Sequence, residues 1–88
     1  MASYKVIYKA SFEKDLRRLP RTLLARVSAQ IDKLAENPTP REAVKLQISQ
    51  GLYRVRIGDY RLVYQVNVRA TQIILQRIRH RREVYRSL

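Results

Sequence analysis

The sequence predicts a small α+β domain, an antiparallel-rich, four-stranded sheet with two N-terminal helices packed on one face. Three observations support this fold: a first segment that alternates in the manner of a strand, two helical segments that meet at Pro20, and three strand-like segments in the second half. The element order is therefore β-α-α-β-β-β. A chain of 88 residues can bury one hydrophobic core, so residues 1–88 are predicted to form a single domain.

The first strand and the first helix are predicted to be short. Residues 4–9 set Tyr4, Val6 and Tyr8 on one face of a strand. A helix is predicted to follow, with Ser11 as its N-cap and with Asp15 in its first turns, where a carboxylate complements the helix dipole. The helix is expected to continue to about residue 19, because the proline that follows cannot extend it.

The second helix is predicted to be longer and amphipathic. It is expected to start near Arg21 and to end at the Asn-Pro-Thr-Pro segment of residues 37–40. Residues 40–51 then form an extended connection whose pairing the sequence does not fix. The apolar stripe of the helix, which would cover one face of the sheet, consists of Leu24, Val27, Ile31, Leu34 and Ala35.

Residues 52–66 carry the clearest local pattern, two strands joined by a two-residue loop. Gly58 and Asp59 form that loop, and Gly58 permits the positive φ that a type II′ turn requires. The loop sets a register with four cross-strand pairs: Ile57 with Tyr60, Val55 with Leu62, Tyr53 with Tyr64, and Arg56 with Arg61.

This register separates the hairpin into an apolar face and a basic face. The apolar face is expected to lie under the helices, which leaves Arg54, Arg56 and Arg61 on the open face. Like charges opposite one another destabilise a sheet by about 0.2–1 kcal/mol per pair. Three planar, permanently charged donor groups on one surface indicate a binding site for phosphate or carboxylate, and the alternative is a solvated basic surface.

Residues 71–80 are predicted to form the last strand, which adds further basic side chains. By alternation Arg77, Arg79 and Arg81 share one face, and Gln76, Ile78 and His80 share the other. The sequence does not fix which of these faces joins the arginines of the hairpin, because a bulge would change the phase. Arg77, Arg79 and His80 are therefore candidates for substrate binding.

The composition constrains the partners of the chain. A net charge of +12 indicates a polyanionic partner such as nucleic acid, the ribosome or an acidic protein. The chain has no Cys, its N-terminal residues lack an apolar run of signal-peptide type, and no segment approaches the roughly 20 apolar residues that span a bilayer. We therefore expect a cytoplasmic protein without a membrane partner.

The titratable groups do not form a pattern typical of a metal or cofactor site. His80 is the only histidine, and the 7 acidic residues are spread over several elements, so neither a metal nor a cofactor is expected. Metal-free chemistry on RNA remains possible, since the 2′-hydroxyl can attack the adjacent phosphate while arginines stabilise the developing charge. The general base stays open, because guanidinium remains protonated; His80 and Tyr85 could move protons.

Two segments carry a family resemblance when they are taken together. Leu52-Tyr53-Arg54-Val55-Arg56-Ile57-Gly58-Asp59-Tyr60-Arg61-Leu62-Val63-Tyr64, followed by Ile78-Arg79-His80-Arg81-Arg82-Glu83-Val84-Tyr85, resembles the RelE/ParE superfamily of toxins from bacterial and archaeal toxin–antitoxin pairs, and in particular its RelE branch. The resemblance covers nearly the whole chain. It implies the RelE-like fold, in agreement with the element order above.

The resemblance also implies a function and a site. It implies a ribosome-dependent endoribonuclease that cuts mRNA in the ribosomal A site and so inhibits translation, and a cognate RelB-like, acidic antitoxin that neutralises it in a hetero-oligomer. Arg54 and Arg56 match substrate-positioning and proton-handling positions of the family. Arg61 and Arg81 match its phosphate-stabilising arginines, with Arg79 as the alternative to Arg81, and Tyr85 matches its C-terminal, base-orienting tyrosine.

Some members of the family carry Lys at the positions of Arg54 and Arg56, which leaves the proton-handling role in question here. Two other functions remain open. A ParE-like protein would inhibit DNA gyrase without nuclease activity, and a basic RNA-binding module would bind RNA without cutting it. The two toxin branches share a scaffold, so the fold does not decide between them. The set Arg54, Arg56, Arg61, Arg81 and Tyr85 favours the nuclease, because a gyrase inhibitor has no chemical need for it.

Overall fold

The computed structural model describes residues 3–82, which form one five-stranded mixed sheet with two helices. The elements in chain order are β1 (Lys5–Tyr8), α1 (Ala10–Leu16), α2 (Arg21–Glu36), β2 (Val44–Lys45), β3 (Leu52–Ile57), β4 (Tyr60–Asn67) and β5 (Gln72–His80). The sheet order is β1-β5-β4-β3-β2, with β1 parallel to β5 and the other neighbours antiparallel. The α+β fold with an antiparallel-rich sheet is therefore confirmed. Neither helix is long and apolar enough to cross a membrane.

The prediction of four strands was wrong by one, because the connection between α2 and the hairpin contributes a strand of its own. Val44 and Lys45 pair with Arg54 and Tyr53 at the edge of the sheet. A hydrogen bond of 2.8 Å from Leu46 N–H to Leu52 O supports this pairing. Two residues are too few to show alternation in a sequence, so the strand becomes visible only through its partner.

The hairpin has the predicted register throughout, including the pairs Val55–Leu62 and Arg56–Arg61. Gly58 has φ of +60°, and among the described non-glycine residues only Thr71 has positive φ. Asp59 therefore does not have positive φ. Positive φ at the first loop residue and negative φ at the second are the combination found in a type II′ turn. The loop chemistry and the cross-strand pairing thus agree.

Both helices contribute to the core on the apolar face of the sheet, as predicted. Phe12 and Leu34 are fully buried there with Val55, Leu62 and Ile73 of the strands. The described residues include 14 buried hydrophobic side chains, 12 of them in this main core, which is the burial on which a chain without disulfides depends.

The predicted apolar stripe of α2 is only partly buried. Val27, Ile31 and Leu34 are buried, but Leu24 is 39% exposed. The neighbouring leucine in the first turn of α2, Leu23, lies beside the hairpin loop instead. A Cβ atom at Gly58 would be 4.0 Å from Leu23 Cδ2. A helical stripe read from the sequence does not show where the partner sheet ends, so Leu24 was assigned to the core wrongly.

Helix α1 begins and ends earlier than predicted. Its N-cap residue is Lys9, without a side-chain capping bond, and Ser11 lies within the helix. The Ser11 hydroxyl instead donates a 2.7 Å hydrogen bond to the carbonyl of Gln76 in β5, so its predicted role as N-cap was wrong. The helix ends at Leu16, and Leu19 reaches the core from the following turn.

Candidate functional site

Three arginines form a row across the middle of the sheet. Arg56 of β3 pairs with Arg61 of β4, and Arg61 pairs with Arg79 of β5. Adjacent strands lie about 4.8 Å apart, so the row spans roughly 10 Å on the face opposite the helices. No acidic residue separates the three positions, and the row concentrates positive charge at one level of the sheet.

A second row lies two residues along the strands. It consists of Arg54, Val63 and Arg77, in β3, β4 and β5. Val63 is fully buried and packs with Leu52 and Leu46 in a small cluster separate from the main core. The face that the sequence left open is therefore partly covered by the segment around Leu46. We call the five arginines of the two rows, Arg54, Arg56, Arg61, Arg77 and Arg79, the arginine face.

A β-bulge in β5 accompanies the placement of Arg77 and Arg79 on the arginine face. Val63 pairs with Arg77 and the next residue, Tyr64, pairs with Leu75, so Gln76 is an extra residue without a partner. The bulge shifts the phase of β5 and resolves the question that alternation left open. It also overturns the grouping of Gln76 with Ile78, because the Gln76 amide contacts Gln65 on the side of the arginine face.

Asp15 of α1 ties this face to the helix layer. Its carboxylate accepts two hydrogen bonds from Arg77, from Nε at 2.9 Å and from Nη2 at 3.0 Å, and one from Arg79 Nε at 3.2 Å. It also accepts the backbone N–H of Ile78 at 3.1 Å. Asp15 is the one buried charged residue in the described part of the chain, with 3% of its surface exposed. A buried carboxylate is tolerated because these four donors replace water.

Sequence reasoning missed this role of Asp15 and assigned it to the helix dipole. A signal was present, since Asp15 lies three residues after Phe12 and one before Leu16, on the apolar stripe of α1. An acidic residue on an apolar stripe requires buried donors. The free edge of β5 beyond its pairing with β1 supplies them.

Two further predicted site residues, His80 and Arg81, lie at the end of β5. His80 is on the helix side of the sheet, where its ring meets Tyr60 edge-on at 5.8 Å, and so it is not part of the arginine face. Arg81 is exposed in the turn after β5, and its N–H donates to Asp59 O at 2.9 Å. This places Arg81 beside the hairpin loop. Tyr85 lies outside the described residues.

Tyr64 is an unsuitable proton acceptor at neutral pH. Burial, reinforced by Tyr53 and Glu42, raises the pKa of Tyr64 far above its ordinary range. Its hydroxyl donates to Pro38 O at 2.7 Å on the helix side. Among residues 3–82, no group of three or more His, Cys, Asp or Glu side chains is arranged to hold a metal ion.

Comparison with known proteins gives consistent matches over most of the chain. A family model described as the ParE toxin of type II toxin–antitoxin systems matches residues 6–85. Toxin RelE3 of Methanocaldococcus jannaschii is 31% identical over 86 residues, which cover 92% of this chain and 94% of that protein. Toxin RelG of Mycobacterium tuberculosis is 30% identical, with coverage of 94% and 97%.

Solved structures share the fold at comparable identity. The toxin in the archaeal RelE–RelB complex from Pyrococcus horikoshii superimposes with a TM-score of 0.80 at 33% identity, over 90% of this chain and 96% of that chain. These matches relate the sheet and its two helices to proteins that are named as toxins.

Proposed function

The chain belongs to the RelE/ParE superfamily of type II toxin–antitoxin toxins and is of the RelE type, and on that premise we propose that it is a metal-independent endoribonuclease that cleaves mRNA in the ribosomal A site. The observation that carries this proposal is the arginine face, with its two rows across three strands. A phosphodiester that becomes more negative in the transition state is stabilised by donors of this kind.

In the proposed reaction the RNA supplies its own nucleophile. The 2′-hydroxyl gives up its proton as its oxygen attacks the adjacent phosphorus, a 2′,3′-cyclic phosphate forms, and the bond to the 5′-oxygen of the next nucleotide breaks as that oxygen takes up a proton. The protein aligns the three reacting atoms and stabilises the charge on the phosphoryl oxygens. We assign charge stabilisation to Arg61 and substrate positioning to Arg54 and Arg56.

Asp15 divides the arginine face into two functional groups. Arg77 has its Nε and Nη2 committed to the buried carboxylate and is held as a fixed support. Arg56, by contrast, is exposed at the β3 end of its row and lies opposite Arg61. We therefore place the scissile phosphate over the Arg56–Arg61 pair. Arg81 would approach it from the end of β5, and Tyr85 is assigned the orientation of the substrate base.

We further propose that a cognate antitoxin neutralises the protein. The structural relative from Pyrococcus horikoshii is a RelE–RelB complex. A net charge of +12 is complementary to an acidic, RelB-like partner that would mask the arginine face in a hetero-oligomer. The proposed substrate, a translated message on the ribosome, places the activity in the cytoplasm.

Inhibition of DNA gyrase is the second candidate function, and one observation favours it: the matching family model is described as a ParE toxin. A gyrase inhibitor acts through a protein interface. Five arginines on one sheet face, two of them fixed by a buried carboxylate, serve the chemistry of a phosphodiester better than a protein contact.

The test is induced expression in cells followed by mapping of RNA ends at single-nucleotide resolution. A message and a copy without its start codon are compared. We expect cuts inside the reading frame of the translated copy alone. Intact RNA, together with altered plasmid supercoiling, would replace this proposal with gyrase inhibition.

A further inference from the structure

A groove of about 470 Å³ lies on the same side of the sheet as the arginine face. Its floor is formed by Gln65 of β4 and Gln76 of β5, and Leu52 and Ile48 line it as apolar residues. Arg77 lies at one end, so the groove and the arginine face share a residue. The volume is sufficient for one nucleobase and its sugar.

A chain of amide contacts runs along the floor of the groove. Lys9 Nζ donates to Gln76 Oε1 at 3.2 Å, Gln76 Nε2 donates to Gln65 Oε1 at 3.5 Å, and Gln65 Nε2 donates to Gln50 O at 3.5 Å. Contacts of 3.5 Å are at the weak end of the hydrogen-bond range. Each amide has two N–H donors and two acceptor lone pairs, so both side chains keep capacity for a ligand.

The β-bulge is what places these two amides together. Gln76 is the unpaired residue of the bulge, and its carbonyl is held by the Ser11 hydroxyl at 2.7 Å. In a regular strand Gln76 would share a face with Ile78, as alternation predicted, and Ile78 pairs with Leu62 on the helix side. The bulge therefore creates a polar floor at this point of the sheet.

The walls of the groove suit a planar ring. Leu52 is 7% exposed and Ile48 is 61% exposed, so one apolar residue lies deep and the other remains open to a ligand. Arg77 is fixed by Asp15 through Nε and Nη2, which leaves Nη1 outside that ion pair and holds the guanidinium plane in one orientation. Arginine planes and apolar side chains are the surfaces on which unstacked RNA bases rest.

The distances from the arginine rows fit one to two nucleotides. Gln65 lies two residues beyond Val63, in the row that pairs Leu52 with Gln65, so it is about 7 Å from the Arg54–Arg77 row and about 13 Å from the Arg56–Arg61 pair along the strands. These lengths are close to the reach of one and of two extended nucleotides. A strand with its phosphate over the arginine rows would bring a neighbouring base to the groove.

We infer that this groove is a subsite for a base within two nucleotides of the scissile phosphate, and that Gln65 and Gln76 select that base by hydrogen bonds to its edge. This inference rests on the proposed nuclease activity and extends it to sequence preference. A side-chain amide can pair with a base edge through one donor and one acceptor at once, as glutamine does with adenine.

The test compares the cut-site profiles of the parent chain, Gln65→Leu and Gln76→Leu, from 5′-end sequencing of cellular RNA after induction. Leucine keeps a comparable size while it removes the donor and the acceptor. Gln72→Leu is the matched control, because Gln72 is a half-buried glutamine at the start of β5 and does not line the groove. Melting temperatures within a few degrees of the parent show that each variant is folded.

We expect the parent and Gln72→Leu to share one base preference at a position within two nucleotides of the cut. In Gln65→Leu and Gln76→Leu the preference at that position should fall by about tenfold, while cleavage itself persists. Superimposable profiles for all four proteins would overturn the inference while leaving the nuclease intact. Folded variants that do not cut at all would overturn it too, since the amides would then serve cleavage rather than selection. A parent that does not cut would remove both proposals.

Discussion

The carboxylate of Asp15 accepts two parallel hydrogen bonds from the guanidinium of Arg77, at 2.9 and 3.0 Å. These residues are 62 positions apart, and their contact joins the first helix to the last strand. The same carboxylate accepts the Ile78 N–H at the strand edge. One buried charge therefore fixes the helix, the strand edge and the orientation of the arginine face.

Asp15→Asn is expected to lower the free energy of unfolding by about 3 kcal/mol, since a buried ion pair loses one partner and an amide N–H₂ meets the guanidiniums. Asp32→Asn, at an exposed position of α2, is the control and should cost less than about 0.5 kcal/mol. Urea denaturation of both variants measures the difference. Equal midpoints would show that the Asp15 contacts contribute little to stability.

Arg56→Thr should separate stability from activity. The substitution relieves the like-charge pair with Arg61, so the free energy of unfolding is expected to rise by about 0.2–1 kcal/mol. Cleavage should fall by about a hundredfold, because a donor to the phosphate is lost. Lys5→Thr on β1 is the matched control, with a basic residue replaced on an exposed strand. Unchanged cleavage in Arg56→Thr would remove Arg56 from the site.

The stability of the protein should fall as the pH rises above about 10. Burial raises the pKa of Tyr64 in the folded state above its value in the unfolded chain, which is about 10. The contribution of protonated Tyr64 to the free energy of unfolding is therefore fully present below that pH. It is lost at higher pH, as the tyrosine of the unfolded state releases its proton. Tyr64→Phe should flatten this decline, although it also removes the bond to Pro38 O. Thermal unfolding of both proteins between pH 8 and about 11 measures the slopes; identical slopes would contradict the assignment.

Leu62→Asp tests which face of the hairpin is buried. Leu62 is fully buried in the main core, so an unpaired carboxylate there should destabilise the fold by more than about 4 kcal/mol. Val68→Asp is the control, because Val68 is 71% exposed in the turn before β5. Circular dichroism should show a folded control and an unfolded Leu62→Asp. A melting temperature equal to that of the parent would show that the two faces are reversed.

The hairpin could be predicted residue by residue because its register depends on local chemistry. Gly58 fixes the turn, and the turn fixes every pair from Ile57–Tyr60 to Tyr53–Tyr64. The separation into an apolar and a basic face follows from the same register. The start and end of α2 were also local, since Pro20 precedes the helix and Asn37 follows it.

The features that sequence reasoning missed depend on distant partners. Ser11 is a residue type that often caps helices, but its hydroxyl donates a hydrogen bond to the carbonyl of Gln76 instead. Gln76 itself carries no sign of a bulge, because an extra residue is defined only against β4. Likewise, Asp15 accepts a hydrogen bond from a backbone N–H at the edge of β5, and no local pattern predicts where that edge lies. The basic face of the hairpin was therefore predictable, whereas the phase that adds Arg77 and Arg79 to it was not.

Whether the arginine face carries the cleavage chemistry is tested by the rate at which Arg61→Ala cleaves mRNA on translating ribosomes. The rate is compared with that of Arg61→Lys and with that of a control, Arg21→Ala. The Arg21 side chain is exposed at the start of α2. Arg61 lies between Arg56 and Arg79 in the central row. We expect a loss of about a hundredfold or more in Arg61→Ala, incomplete rescue by lysine, which lacks the planar donor fork, and full activity in the control. Cleavage by a folded Arg61→Ala at the rate of the parent would show that the arginine face does not carry the chemistry.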